Sequence, residues 1–127
     1  MSMQPTGAEL VQRAEALIPS LQSRRQEASE MRRLPDENVK EVLEAGLFKV
    51  LQPSRVGGYE LDLHTHIDVI EAVGRGCAST AWVLGVCHVH SWLMGCFPQE
   101  AQDECYGVNP DAIISAVIGP RGRAQRV

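Results

Sequence analysis

A chain of 127 residues, 44% of them hydrophobic, has material for one modest core and not for two full domains. Its 12 basic residues against 16 acidic, a net charge of −4, leave no electrostatic footprint for nucleic acid or an anionic membrane. Arg121, Arg123 and Arg126 form a basic cluster near the end and read as a short solvated tail.

In chain order, Thr6-Gly7-Ala8-Glu9 has the form of a capping box at a helix start. Leu10, Ala14, Leu17, Leu21, Ala28 and Met31 then recur as one stripe of a long helix, which Pro19 should bend. Pro35 suits the first turn of a second helix, with Asp36 and Glu37 complementing its dipole, Val39, Val42 and Leu43 as its apolar face, and Gly46 as its stop. The apolar piece Leu47 to Gln52 ends at Pro53, and Gly57-Gly58 marks a turn. Asp62 caps a third helix with the stripe Leu63, Ile67, Ile70 and Val73, ended by Gly74 and Gly76. Ser79 is expected to cap a fourth helix, Thr80 to about Cys96, that is apolar on nearly every side. Such a helix is normally wrapped by others at a domain centre. Its apolar run falls short of the roughly 20 residues of a membrane span and is interrupted by His88, His90 and Ser91.

Pro98 and Glu100 open a fifth helix that Gly107 closes. The β-branched run Ala112 to Ile118 reads as a strand. A lone strand has no partner for its backbone groups, so the chain reads as cut short just as a new unit begins. The organisation expected is a mainly α domain of about five helices over residues 1–110, then the start of a truncated β domain over residues 111–127. Cys77, Cys87, Cys96 and Cys105 contain no C-x-x-C pair, and no secretory leader precedes them; reduced, buried cysteines and a cytoplasmic location are expected.

Several blocks in order carry a family pattern: Leu43-Glu44-Ala45-Gly46-Leu47-Phe48, then Pro53-Ser54-Arg55-Val56-Gly57-Gly58-Tyr59-Glu60. They continue with Arg75-Gly76-Cys77-Ala78-Ser79-Thr80-Ala81-Trp82-Val83, His90-Ser91-Trp92 and Phe97-Pro98-Gln99-Glu100-Ala101-Gln102. Together they resemble the N-terminal helical domain of the acyl-CoA dehydrogenase fold. The Gly76-to-Val83 and His90-Ser91-Trp92 stretches look like its flavin-dependent monooxygenase branch, which includes the oxygenase components of 4-hydroxyphenylacetate and secosteroid-phenol hydroxylases. The resemblance implies a subunit with two further domains, a β-barrel-like middle domain and a C-terminal helical bundle. It also implies a homotetramer, a separate flavin reductase that supplies reduced FMN or FAD, and an aromatic substrate hydroxylated with dioxygen.

Carried over residue by residue, the resemblance makes His90 the imidazole beside the substrate's phenolic oxygen, where a near-neutral base raises electron density at the ortho carbon. Ser115 becomes a hydroxyl beside the flavin, with Ala116 next to it where a second hydroxyl is found in one family pattern. Trp82 and Trp92 become walls of the aromatic pocket. His88 lies about 200° around the helix from His90 and reads as structural. Cys87 and His90 share a helix face without an evident third metal ligand, so no metal is expected. Two other functions stay open on these residues: an acyl-CoA dehydrogenase that desaturates an acyl-CoA with FAD, and a non-catalytic helical interaction fragment.

Overall fold

A computed structural model describes residues 3–119 and 121–127. Among them the regular structure is helical: α1 (Gly7–Ala16), α2 (Ile18–Ser23), α3 (Arg25–Met31), α4 (Asp36–Glu44), α5 (Leu63–Gly76), α6 (Ala78–Gly95) and α7 (Gln99–Tyr106). Short 3-10 turns at Leu47–Lys49 and Ser54–Val56 punctuate the link between α4 and α5.

The Thr6 capping box forms as expected, the hydroxyl accepting from the Glu9 N–H and the Glu9 carboxylate accepting from the Thr6 N–H. The single bent helix expected over residues 10–31 is instead three. Pro19 falls in the first turn of α2, where a missing N–H costs nothing, so the chain breaks before the proline instead of kinking across it. A second joint at Arg24 separates α3. The stripe survives these joints: Leu10, Ala14, Leu21 and Ala28 are buried, while Met31 is exposed. Pro35 is the N-cap of α4 and not its first residue. Gly46 stops α4 in the left-handed region at φ 75°.

The segment after α4 folds into the core through Leu47, Phe48, Val50 and Leu51. Its turn needs Gly58, because a Cβ there would lie 2.0 Å from the Gln52 carbonyl oxygen. Asp62 caps α5 by accepting from the Thr65 N–H. Gly74 does not end α5, which runs on to Gly76 as its last residue and stops at the extended Cys77. Gly76 also permits a close helix crossing, since a Cβ there would meet Leu21 at 2.9 Å. The apolar stripe read for α5 also needs correction. Val69, Ala72 and Val73 are buried, whereas Leu63 and Ile67 are exposed. Two apolar faces coexist on this helix, and periodicity alone does not say which one meets the core.

The core is closed by α6, which packs on α5 through Ala81 and Leu84. Its N-cap is Cys77, without a side-chain cap, so the expected Ser79 cap is not made. A buried polar link ties it to α4, Asn38 Nδ2 donating to Thr80 Oγ1 at 3.1 Å while Arg24 Nε donates to Asn38 Oδ1 at 2.6 Å. The expected full wrapping of α6 is not observed: Trp82, Val83, Val86, Val89 and Trp92 are exposed. Beyond α7, residues 112–119 carry no regular structure and pair with no other segment among the described residues, so the expected strand does not form here. A strand's N–H and C=O groups need a neighbouring strand, and none is present among the described residues. No described helix is long and apolar enough to cross a membrane.

Candidate functional site

The exposed stripe of α6 is bordered by two imidazoles. A groove of about 390 Å³ runs along it, walled by Trp82, Val86 and Val89, flanked by Ile70 and His66 of α5, and reaching His90. Its floor is Gly85, whose nearest neighbour for an added Cβ is Ile70 at an ordinary 3.6 Å. Packing therefore does not require a glycine there, although glycine inside a helix costs about 1 kcal/mol relative to alanine. What its lack of a side chain leaves is the depth of the groove.

His90 is buried, and its Nδ1 lies 3.3 Å from the Ile114 carbonyl oxygen. A carbonyl only accepts, so the proton of that bond sits on Nδ1, and neutral His90 keeps a lone pair on Nε2. The same bond fastens the extended segment after α7 beside the groove. Two further contacts anchor its start: Gln52 Nε2 donates to the Pro110 carbonyl at 2.9 Å, and Lys49 pairs with Asp111 at 2.6 Å. Ser115 and Ala116 follow Ile114 directly and are exposed.

The candidates are thus divided between two places. Trp82 shares the groove with His90, and Ile114 brings Ser115 and Ala116 next to it in the chain. Trp92 lines a separate cavity of about 510 Å³ with Leu51, Leu61 and Leu63; Val89 borders both. A larger depression of about 590 Å³ between α3 and the start of α6 touches the other side of Trp82, and its ionisable lining is Arg32 and Arg33.

His88 faces the other way. It is fully buried, its Nε2 2.5 Å from the Leu47 carbonyl oxygen and its Nδ1 2.8 Å from His66 Nδ1. Burial pushes its pKa down to about 4, against a smaller upward pull from the Leu47 carbonyl. Burial also lowers His66 and raises the Cys87 thiol. The sequence reading did not pair His66 with His88, nor did it single out Gly85. Nothing in spacing pairs residues on two helices, and a single glycine inside a helical pattern is as often a packing choice as an opening.

Residues 9–107 match the family model of the acyl-CoA dehydrogenase N-terminal domain, and the chain belongs to that family. Within it, the chain is 38% identical over 92% of its length to the flavin-dependent monooxygenase oxygenase subunit HsaA of Rhodococcus jostii (strain RHA1), covering 31% of that protein. It is 32% identical over 96% of its length to the oxygenase component of p-hydroxyphenylacetate 3-hydroxylase from Acinetobacter baumannii, covering 29% of it. Among solved structures it is similar to XiaF from Streptomyces sp. in complex with FADH2 and glycerol, with a TM-score of 0.80 and 32% identity, over 84% of this chain and 27% of that one. The chain therefore spans about 30% of the length of the relatives it matches.

Proposed function

We propose that this domain forms the substrate side of a flavin-dependent monooxygenase that hydroxylates a phenolic ring. The observation that carries this is His90, held by the Ile114 carbonyl with its Nε2 lone pair free, beside a groove whose walls are apolar and whose floor is a glycine. Such a groove accepts a flat aromatic ring, and Trp82 offers it a stacking surface. His90 Nε2 accepts the phenolic proton, which makes the oxygen more anionic and the ortho carbon more electron-rich. Val86 and Val89 keep water from the ring.

Reduced flavin, FADH2 as in the XiaF complex, supplies the activation of dioxygen when bound. The residues present fit one edge of such a ring. Ser115 carries an exposed hydroxyl, and the backbone groups of residues 112–119 are not engaged in any ladder among the described residues. Ser115 would hold the flavin's polar edge and Ala116 would border it. Trp92 would wall the adjoining cavity on the far side of Val89. With this function go a reductase as partner, a cytoplasmic location compatible with four free cysteines, and a homotetramer in which further polypeptide covers the apolar side of α5 and α6.

The test is His90→Ala in the flavin-loaded enzyme, assayed with a reductase and a phenol. Hydroxylated product should fall about 10²-fold or more, with reduced flavin still consumed and hydrogen peroxide released instead. Undiminished product formation would remove His90 from the reaction and the proposal with it.

A further inference from the structure

We propose that His66 is a second hydrogen-bond acceptor of the His90 groove, its Nε2 kept unprotonated by a relay through His88 to the Leu47 carbonyl, and that it receives a hydroxyl of the phenolic ligand. The ligand class rests on the hydroxylase function above; the relay does not.

The relay follows from counting protons. The Leu47 carbonyl oxygen can only accept, so His88 Nε2, 2.5 Å away, carries a proton. A neutral imidazole carries one, so His88 Nδ1 is an acceptor. The 2.8 Å contact between the two Nδ1 atoms then needs its proton from His66, which places it on His66 Nδ1. Neutral His66 is left with a bare lone pair on Nε2. A buried histidine resists the second proton that would upset this count, and burial disfavours the cation at both residues.

The free nitrogen is also in the right place. His66 lines the groove with Trp82, Gly85 and His90. Among the described residues its Nε2 makes no hydrogen bond, yet it is not among the buried side-chain atoms left without a partner, so solvent reaches it. The groove therefore has an acceptor nitrogen at each border, one fixed from a carbonyl of the C-terminal segment and one fixed from a carbonyl beneath α5 and α6. A phenol bearing a second polar group, or a ring that enters in either sense, would find an acceptor on both sides. His66 is thus a ligand-binding residue, and His88 is its positioning residue.

The measurement is the long-range ¹H–¹⁵N spectrum of the histidine side chains in the full chain, taken near pH 7.5 with and without phenol. His66 should show a protonated Nδ1 and a bare Nε2, and phenol should shift the Nε2 signals of both His66 and His90. His88→Gln should keep the His66 tautomer, because an amide can donate to Leu47 and accept from His66 at once. His88→Leu should release it, and His66→Phe should weaken phenol binding about five-fold, the worth of one hydrogen bond. A His66 protonated on Nε2 would overturn the relay whatever the protein's function. A shift at His90 without one at His66 would overturn the second acceptor and leave the hydroxylase function standing. Phenol moving neither histidine would sink both.

Discussion

The two sides of α6 differ in fate, and it is the buried one that carries the polar side chains Thr80, His88 and Ser91. Towards the core, Leu84 is 1% exposed, His88 is fully buried with both ring nitrogens partnered, and Thr80 is held by Asn38. On the other side Trp82 is 77% and Trp92 56% exposed, with Val86 and Val89 between them. The first side spends its apolar and polar groups on stability. The second leaves large apolar area in water, which a folded chain retains at a cost unless something else covers it. Histidine shows the same division over two residues: His88 is locked between Leu47 and His66, while His90 borders an open groove.

That contrast is breakable by measurement. The largest expected effect is Leu84→Ala, which leaves a cavity in the core and should cost about 2–5 kcal/mol in denaturant unfolding, against less than about 0.5 kcal/mol for Val86→Ala on the bare side. Comparable losses at the two positions would show that the outer face is packed in solution. Next comes acid. His88 has an ordinary pKa of 6.5 when unfolded and about 4 when folded, so the unfolded chain binds the proton first. The stability tied to neutral His88 is intact above about pH 6.5 and is lost as the pH falls towards 4, about 3 kcal/mol in all. His88→Gln should flatten that part of the pH–stability curve. The carboxylates of Glu9, Glu60 and Asp62, each lowered by hydrogen bonds from 4.5, 4.5 and 3.8, join in only at the acid end of this window, while His66, lowered by burial, acts in it beside His88. The smallest effect has the opposite sign. Gly85→Ala should raise stability by about 0.5–1 kcal/mol while shrinking the groove and weakening phenol binding. If stability falls instead, the glycine is there for packing.

Local chemistry made much of this legible in advance. The Thr6 box, the Asp62 cap, the Gly46 stop and α7 between Pro98 and Gly107 depend on groups within a few residues of one another. Some failures were local, at the joints Pro19 and Arg24 and the caps Pro35 and Cys77, and others needed a partner from elsewhere. Ile67 and Val73 look equivalent along the chain, but only Val73 meets the core. Ser79 had the chemistry of a cap, yet Cys77 became the residue at which the chain turns extended before α6. For the proposed site, His90 and Ser115 came as candidates from a resemblance, whereas the pairing of His66 with His88 joins residues 22 apart on two helices.

By itself, then, the sequence determined the helical class, the caps and stops, and a histidine on the central helix, because each is written in short-range periodicity or in an ordered set of motifs. Tertiary structure alone decided which side of α5 and α6 meets the core, that Ile114 reaches back to His90, and which neighbours the ring nitrogens of His66, His88 and His90 meet. Those outcomes depend on carbonyls and side chains brought close by folding, and a hydrogen bond acts only over about 3 Å.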